Sequence, residues 1–80
     1  LPVKTTRYFD ATRQRPDRQI IEDEWVARTA RFPVRRMVQT DGRIRCWAPV
    51  PEAGGRMLRV VLLADGETVH NAFFDRSFIA

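Results

Sequence analysis

From Val34 onward the chain alternates between apolar and polar positions in short runs, and two Asp-Gly dipeptides punctuate them. Asp41-Gly42 separates residues 34–40 from 43–50, and Asp65-Gly66 separates 56–64 from 67–74. Asp-Gly between β-type runs is a strong hairpin signal, because a two-residue type I′ turn needs positive φ at both central positions. Two hairpins, 34–50 and 56–74, are therefore predicted. Residues 49–55, with two prolines and Gly54-Gly55, read as the loop between them. Ahead of them the period changes. Ile21, Trp25, Thr29 and Phe32 fall on one face at helical spacing with Val26 alongside, and Asp23, Glu24, Ala27 and Arg31 lie opposite. Pro16-Asp17 suits a helix start and Pro33 a stop, so residues 17–32 are predicted as one amphipathic helix. The Trp25 stripe reads as core packing on a sheet, with a partner-binding groove as the alternative. Residues 1–15 read as an N-terminal strand or an extended arm followed by a polar loop. The predicted class is α+β: one main helix packed on an antiparallel sheet of four strands, or five if the N-terminal segment joins it.

Two-residue turns would fix the register, and register decides which side chains share a face. In the first hairpin Thr40 would face Arg43, Val38 would face Arg45, and Arg36 would face Trp47. Met37 opposite Cys46 and Gln39 opposite Ile44 would form the other face. In the second hairpin Leu62–Val69, Val60–Asn71 and Leu58–Phe73 would make the apolar face that meets the helix. Leu63–Thr68, Val61–His70, Arg59–Ala72 and Met57–Phe74 would lie on the opposite face, with Arg59 and His70 as diagonal neighbours.

Composition adds charge to this picture. The 80 residues make one domain, with 44% hydrophobic residues and a net charge of +4. Thirteen of the fourteen basic residues are arginine, Lys4 being the exception. Coding bias toward arginine is one explanation; a polyanionic partner such as RNA, DNA or an acidic protein is the other. A single cysteine excludes an internal disulfide, no apolar run approaches the ~20 residues of a membrane span, and no stretch reads as a signal peptide. A reducing, cytoplasmic setting is expected.

Candidate chemistry follows from the predicted faces. Arg36, Arg43 and Arg45 beside Trp47 can hold nucleic acid through phosphate contacts, base stacking and cation–π attraction; the alternative is a solvated face with the Trp packed at its edge. His70 is the only histidine. Beside Arg59 it can act as general acid or base on a phosphodiester while the arginine stabilises developing charge; the alternative is a half-buried strand histidine satisfied by a neighbour. One Cys and one His are too few for a structural zinc site. Gly54-Gly55 lacks the spacing and following lysine of a phosphate loop, so no cofactor is expected. Cys46 reads as a small core residue. Glu22, Asp23 and Glu24 fan around the helix and do not form a catalytic pair.

The helix carrying I-x-x-x-W and ending at F-P, the D-G-R hairpin, and then G-R-M-L-R-V-V-L-L, a D-G turn and T-V-H-N-A-F-F-D-R resemble, in element order, small bacterial proteins related to the RelE/BrnT-type toxins. The resemblance spans residues 17–76 and is densest over 55–76. It implies a compact, basic α+β fold whose sheet face cleaves RNA and which an antitoxin neutralises. By role it places Arg59 on a central strand, with Arg56, His70 and Arg76 bordering the same region. The chain has neither the lysine cluster nor the C-terminal catalytic tyrosine of the best-known toxins. Two functions are therefore carried forward: an RNA-binding or RNA-cleaving protein, and a non-enzymatic module that binds an acidic protein or pairs along its sheet edge.

Overall fold

A computed structural model describes residues 4–78. Three helices, α1 (Arg7–Thr12), α2 (Pro16–Gln19) and α3 (Asp23–Arg31), precede four strands, β1 (Arg35–Val38), β2 (Ile44–Val50), β3 (Arg56–Leu62) and β4 (Val69–Phe74). The strands form one antiparallel sheet in the order β1-β2-β3-β4. This is the α+β class read from the sequence. The helix α3 packs on β2 and β3, and α1 packs on β4. Between them lies a core of Phe9, Ile21, Trp25, Val26, Ile44, Cys46, Val50, Leu58, Val60, Leu62, Val69 and Ala72.

The N-terminal segment is an arm and then a helix. Thr5 bridges Val69 in parallel, with Val69 N–H donating to Lys4 O and Thr6 N–H to Val69 O. Thr6 then caps α1: its Oγ1 accepts the Phe9 N–H at 3.1 Å, satisfying one of the helix's orphan donors. Residues 1–3, where the predicted strand or arm begins, lie outside the described residues.

The predicted helix over 17–32 is two helices. The chain leaves α2 at Ile20 and restarts at Glu22, whose extended φ of −82° and ψ of 146° make it the α3 N-cap. The break lets Arg18 turn to β4, where its guanidinium donates to Asn71 Oδ1 at 2.8 Å and Ala72 O at 3.3 Å, while Trp25, Val26 and Thr29 turn to β2 and β3. Phe32 does not continue their stripe. It is the α3 C-cap, with φ −131° and ψ 60°, and its side chain is 71% exposed.

Both predicted registers need correction. In the first hairpin Arg35 pairs with Trp47, Arg36 with Cys46, Met37 with Arg45 and Val38 with Ile44, a shift of one residue. The loop holds three residues: Gln39 N–H donates to Arg43 O, Gly42 N–H donates to Gln39 O, and Gly42 sits at φ 91°. A type I turn closed by a left-handed glycine is the usual three-residue solution. In the second hairpin Leu62 pairs with Val69 as predicted, but a bulge follows at His70. Beyond it Val61 pairs with Asn71, Val60 with Ala72, Arg59 with Phe73 and Leu58 with Phe74. The extra residue exchanges the faces of all that follows it. Ala72 and Phe74 turn inward; Asn71 and Phe73 turn to the open side.

The second turn is held by one carboxylate. Asp65 Oδ1 accepts the N–H groups of Glu67 and Thr68, both at 2.9 Å, and Oδ2 accepts the Thr68 hydroxyl at 2.6 Å. These bonds, the Thr68 hydroxyl first, lower the Asp65 carboxyl to about 2 from 3.8. A depressed folded value contributes stability that is present above 3.8 and lost as pH falls toward 2. Denaturation titrations across that range should show a slope that Asp65→Ala reduces; an unchanged slope would mean the turn does not hold the carboxylate.

Candidate nucleic-acid interface

One sheet face is covered by α3 and the other is open. Strand alternation places Arg35 and Met37 of β1, Arg45, Trp47 and Pro49 of β2, Met57, Arg59 and Val61 of β3, and Asn71 and Phe73 of β4 on the open side. Toward the turns this face dips into an open concavity of about 490 Å³ lined by Tyr8, Gln39, Arg43, Arg59, Val61, His70, Asn71 and Phe73. Arg59 and His70, paired by sequence reasoning, thus line one surface, and Arg43 shares it.

Arg59 sits at its centre between two aromatic rings, 5.6 Å from the Trp47 ring and 5.1 Å from the Phe73 ring. Among the described residues Asp75 is the only carboxylate within ion-pair distance of it, with Oδ2 3.7 Å from its Nη1. Its Nε is buried with no hydrogen-bond partner. Burial first, then the nearby charge of Arg45, holds the guanidinium below its ordinary pKa against the opposing pull of Asp75. A buried donor without a partner costs free energy until something accepts from it. Arg45 lies beside Gln39; with the carboxamide oxygen turned toward it, that oxygen accepts from Arg45 Nε at 2.7 Å.

His70 owes its placement to the bulge and to α1. Its Nδ1 lies 3.2 Å from Thr6 Oγ1, and its ring stacks on Tyr8, with centroids 4.9 Å apart and planes 23° apart. Thr6 Oγ1 already accepts the Phe9 N–H; if its own proton goes to Nδ1, the imidazole proton sits on Nε2, which has no hydrogen-bond partner among the described residues.

The other sequence candidates are placed differently. Trp47 is on the open side but buried: its indole N–H donates to Asp75 Oδ2 at 3.0 Å, and Phe78 packs on it at 5.5 Å between centroids. The expected base-stacking platform is therefore covered. The one-residue shift sends Arg36 to the helix side of the edge strand and leaves Arg35 beside Trp47, 5.9 Å from the Phe78 ring. Arg56 lies over Phe74 at 4.1 Å and, with Arg76, Asp75 and Phe78, lines a second concavity of about 470 Å³ at the far end of the sheet. Arg56 and Arg76 thus do not border His70. Cys46 is buried in the core, and burial pushes its thiol up, which suits an inert packing residue.

Tyr8, Gln39, Asn71 and Phe73 line the site without having been singled out from the sequence. A signal existed for Tyr8, since Thr6 is a good N-cap residue two positions ahead of it. No local signal announces the bulge that exposes Asn71 and Phe73.

No family model, characterised protein or solved structure gives a significant match to the chain. The functional reading therefore rests on this geometry. No helix among the described residues is long and apolar enough to cross a membrane.

Proposed function

We propose that the open sheet face binds single-stranded RNA. The observation that carries this reading is the concavity in which Arg43 and Arg59 meet the stacked Tyr8–His70 pair and Phe73. Arginines attract phosphate, and exposed ring faces stack bases whatever their sequence. Tyr8 is half exposed, so it takes the platform role that Trp47, covered by Phe78, does not. The Arg59 side chain, 21% exposed, lines the concavity that a phosphate would enter.

Fluorescence polarisation with a labelled oligouridylate tests this. Binding should weaken steeply with salt, and Arg43→Ala should flatten the log–log salt slope by roughly 0.7, the counterion share of one single-strand phosphate contact. Tyr8→Ala should cost ~5-fold or more, the low end of one lost base stack. Absence of binding at low salt, or binding indifferent to both substitutions, would remove the reading and leave the interaction module. Weaker binding of the matching DNA would point to readout of the 2′-hydroxyl.

One observation favours cleavage as a second reading: His70 and Arg59 line the same concavity. Nε2 of His70 would exchange a proton with the RNA while Arg59 stabilises charge on the phosphate. His70→Ala should then abolish cleavage of a bound RNA, and growth arrest on induced expression, while binding stays within a few fold. Cleavage that survives His70→Ala removes the histidine from the chemistry. A toxin-like role stands or falls with that experiment.

A further inference from the structure

The edge of the sheet away from α1 differs from the face just described. Every residue of β1 is exposed, and among the described residues β1 ends the strand order with no strand beyond it. The opposite edge is partly closed, because Lys4–Thr6 pairs with Val69 of β4. Four large apolar side chains are exposed along or beside β1: Phe32, Val34, Met37 on the open side and Val38 on the helix side. The Gln39–Arg43 hydrogen bond sets the ladder's phase. In an antiparallel pair alternate residues turn their N–H and C=O groups away from the partner strand, so Arg36 and Val38 present theirs outward.

We propose that β1 accepts an extended, acidic–apolar segment of another protein as a fifth strand. Main-chain bonds to Arg36 and Val38 would supply the pairing, and alternate side chains the selectivity. Charge complementarity selects the occupant. Arg31, Arg35 and Arg36 stand beside these apolar residues along the chain, and among the described residues none of them has a carboxylate within ion-pair distance. Carboxylates on the face of the added strand that Arg36 shares would complete the edge. A second copy of this chain fits poorly: antiparallel pairing of two β1 strands through Arg36 and Val38 of each sets Arg36 of one copy diagonal to Arg36 of the other, and like charges at that range repel. Arginines on an otherwise apolar edge thus block self-pairing while admitting an acidic strand. The proposal does not depend on RNA binding, since Arg36 and Val38 lie outside the concavity.

The test uses a fluorescent peptide of alternating valine and glutamate and two controls: the same peptide with lysine for glutamate, and one with a central proline. The acidic peptide should bind saturably and shift the amide resonances of Arg36 and Val38; the controls should bind ~10-fold more weakly or not at all. Val38→Pro removes an outward N–H on an edge strand, where proline is tolerated, and should weaken binding at least ~10-fold. Arg36→Glu should do the same and switch preference toward the lysine peptide. Circular dichroism and oligouridylate binding, both unchanged in Val38→Pro, would separate loss of the edge from loss of the fold or of the open face. The proposal is overturned by absent binding, by binding that ignores Val38→Pro, by resonance shifts confined to the concavity, or by concentration-dependent dimerisation that Val38→Pro abolishes.

Discussion

Asp75→Ala is expected to destabilise the protein by ~2–4 kcal/mol, measured by urea denaturation at pH 7, because the buried Trp47 indole N–H and the charge of the half-buried Arg59 guanidinium depend on that carboxylate. The Asp75 side chain is 8% exposed. Its Oδ2 accepts the Trp47 indole N–H at 3.0 Å and lies 3.7 Å from Arg59. Its Oδ1 accepts the Ser77 N–H at 2.9 Å and hydroxyl at 2.6 Å, folding the C-terminal segment back so that Phe78 covers Trp47. Removing the carboxylate leaves the indole N–H without its acceptor and the half-buried Arg59 guanidinium without the counter-charge it has among the described residues. The Ser77 bonds, then the Trp47 bond, hold the Asp75 carboxyl below its ordinary 3.8. Its contribution is therefore full above 3.8 and declines as pH falls through the lower folded value. The gap between wild type and Asp75→Ala should narrow in acid. Asp75→Asn, which keeps an acceptor for the indole but loses the charge, should fall between the two. A loss below ~1 kcal/mol for Asp75→Ala would mean that water replaces the carboxylate and that Trp47 is not held by it.

The hairpins were legible because turn chemistry is local: Asp-Gly announces a reversal wherever it stands between β-type runs. The registers were not, because one dipeptide serves loops of different length. Asp41-Gly42 closes a three-residue loop and Asp65 caps a wider turn through its side chain, and neither outcome is written in the two residues alone. The open-face positions of Arg45, Trp47 and Arg59 follow from alternation along single strands, which tolerates error in the turn. Arg36 depended on counting across the turn and was misplaced by it. His70 came to Arg59 by a route that periodicity does not contain. A bulge shifts the strand there, and the stacked Tyr8 arrives from a helix in a segment whose β-type composition argued for extension. The Thr6 cap outweighed that composition, as local side-chain bonds do when a short helix also finds a core contact through Phe9.

Trp25 and Phe32 lie on one stripe by helical spacing, and substituting each separates the periodic pattern from the fold. Trp25→Ala should cost ~3–5 kcal/mol, the range for emptying a buried aromatic site. Its side chain is 8% exposed, belongs to the central cluster, and meets Phe74 at 6.4 Å between centroids, so it couples α3 to the last strand. Phe74 faces it only because the His70 bulge turned that residue inward. Phe32→Ala should change stability by no more than ~0.5 kcal/mol, as surface substitutions do, since α3 ends before the stripe reaches it. Paired denaturation curves read the contrast directly. Equal, large losses would restore the single helix over 17–32 and bury Phe32 in the core. With that restored helix, Phe32 would leave the patch beside β1, and the apolar part of the proposed strand-binding edge would lose its largest member.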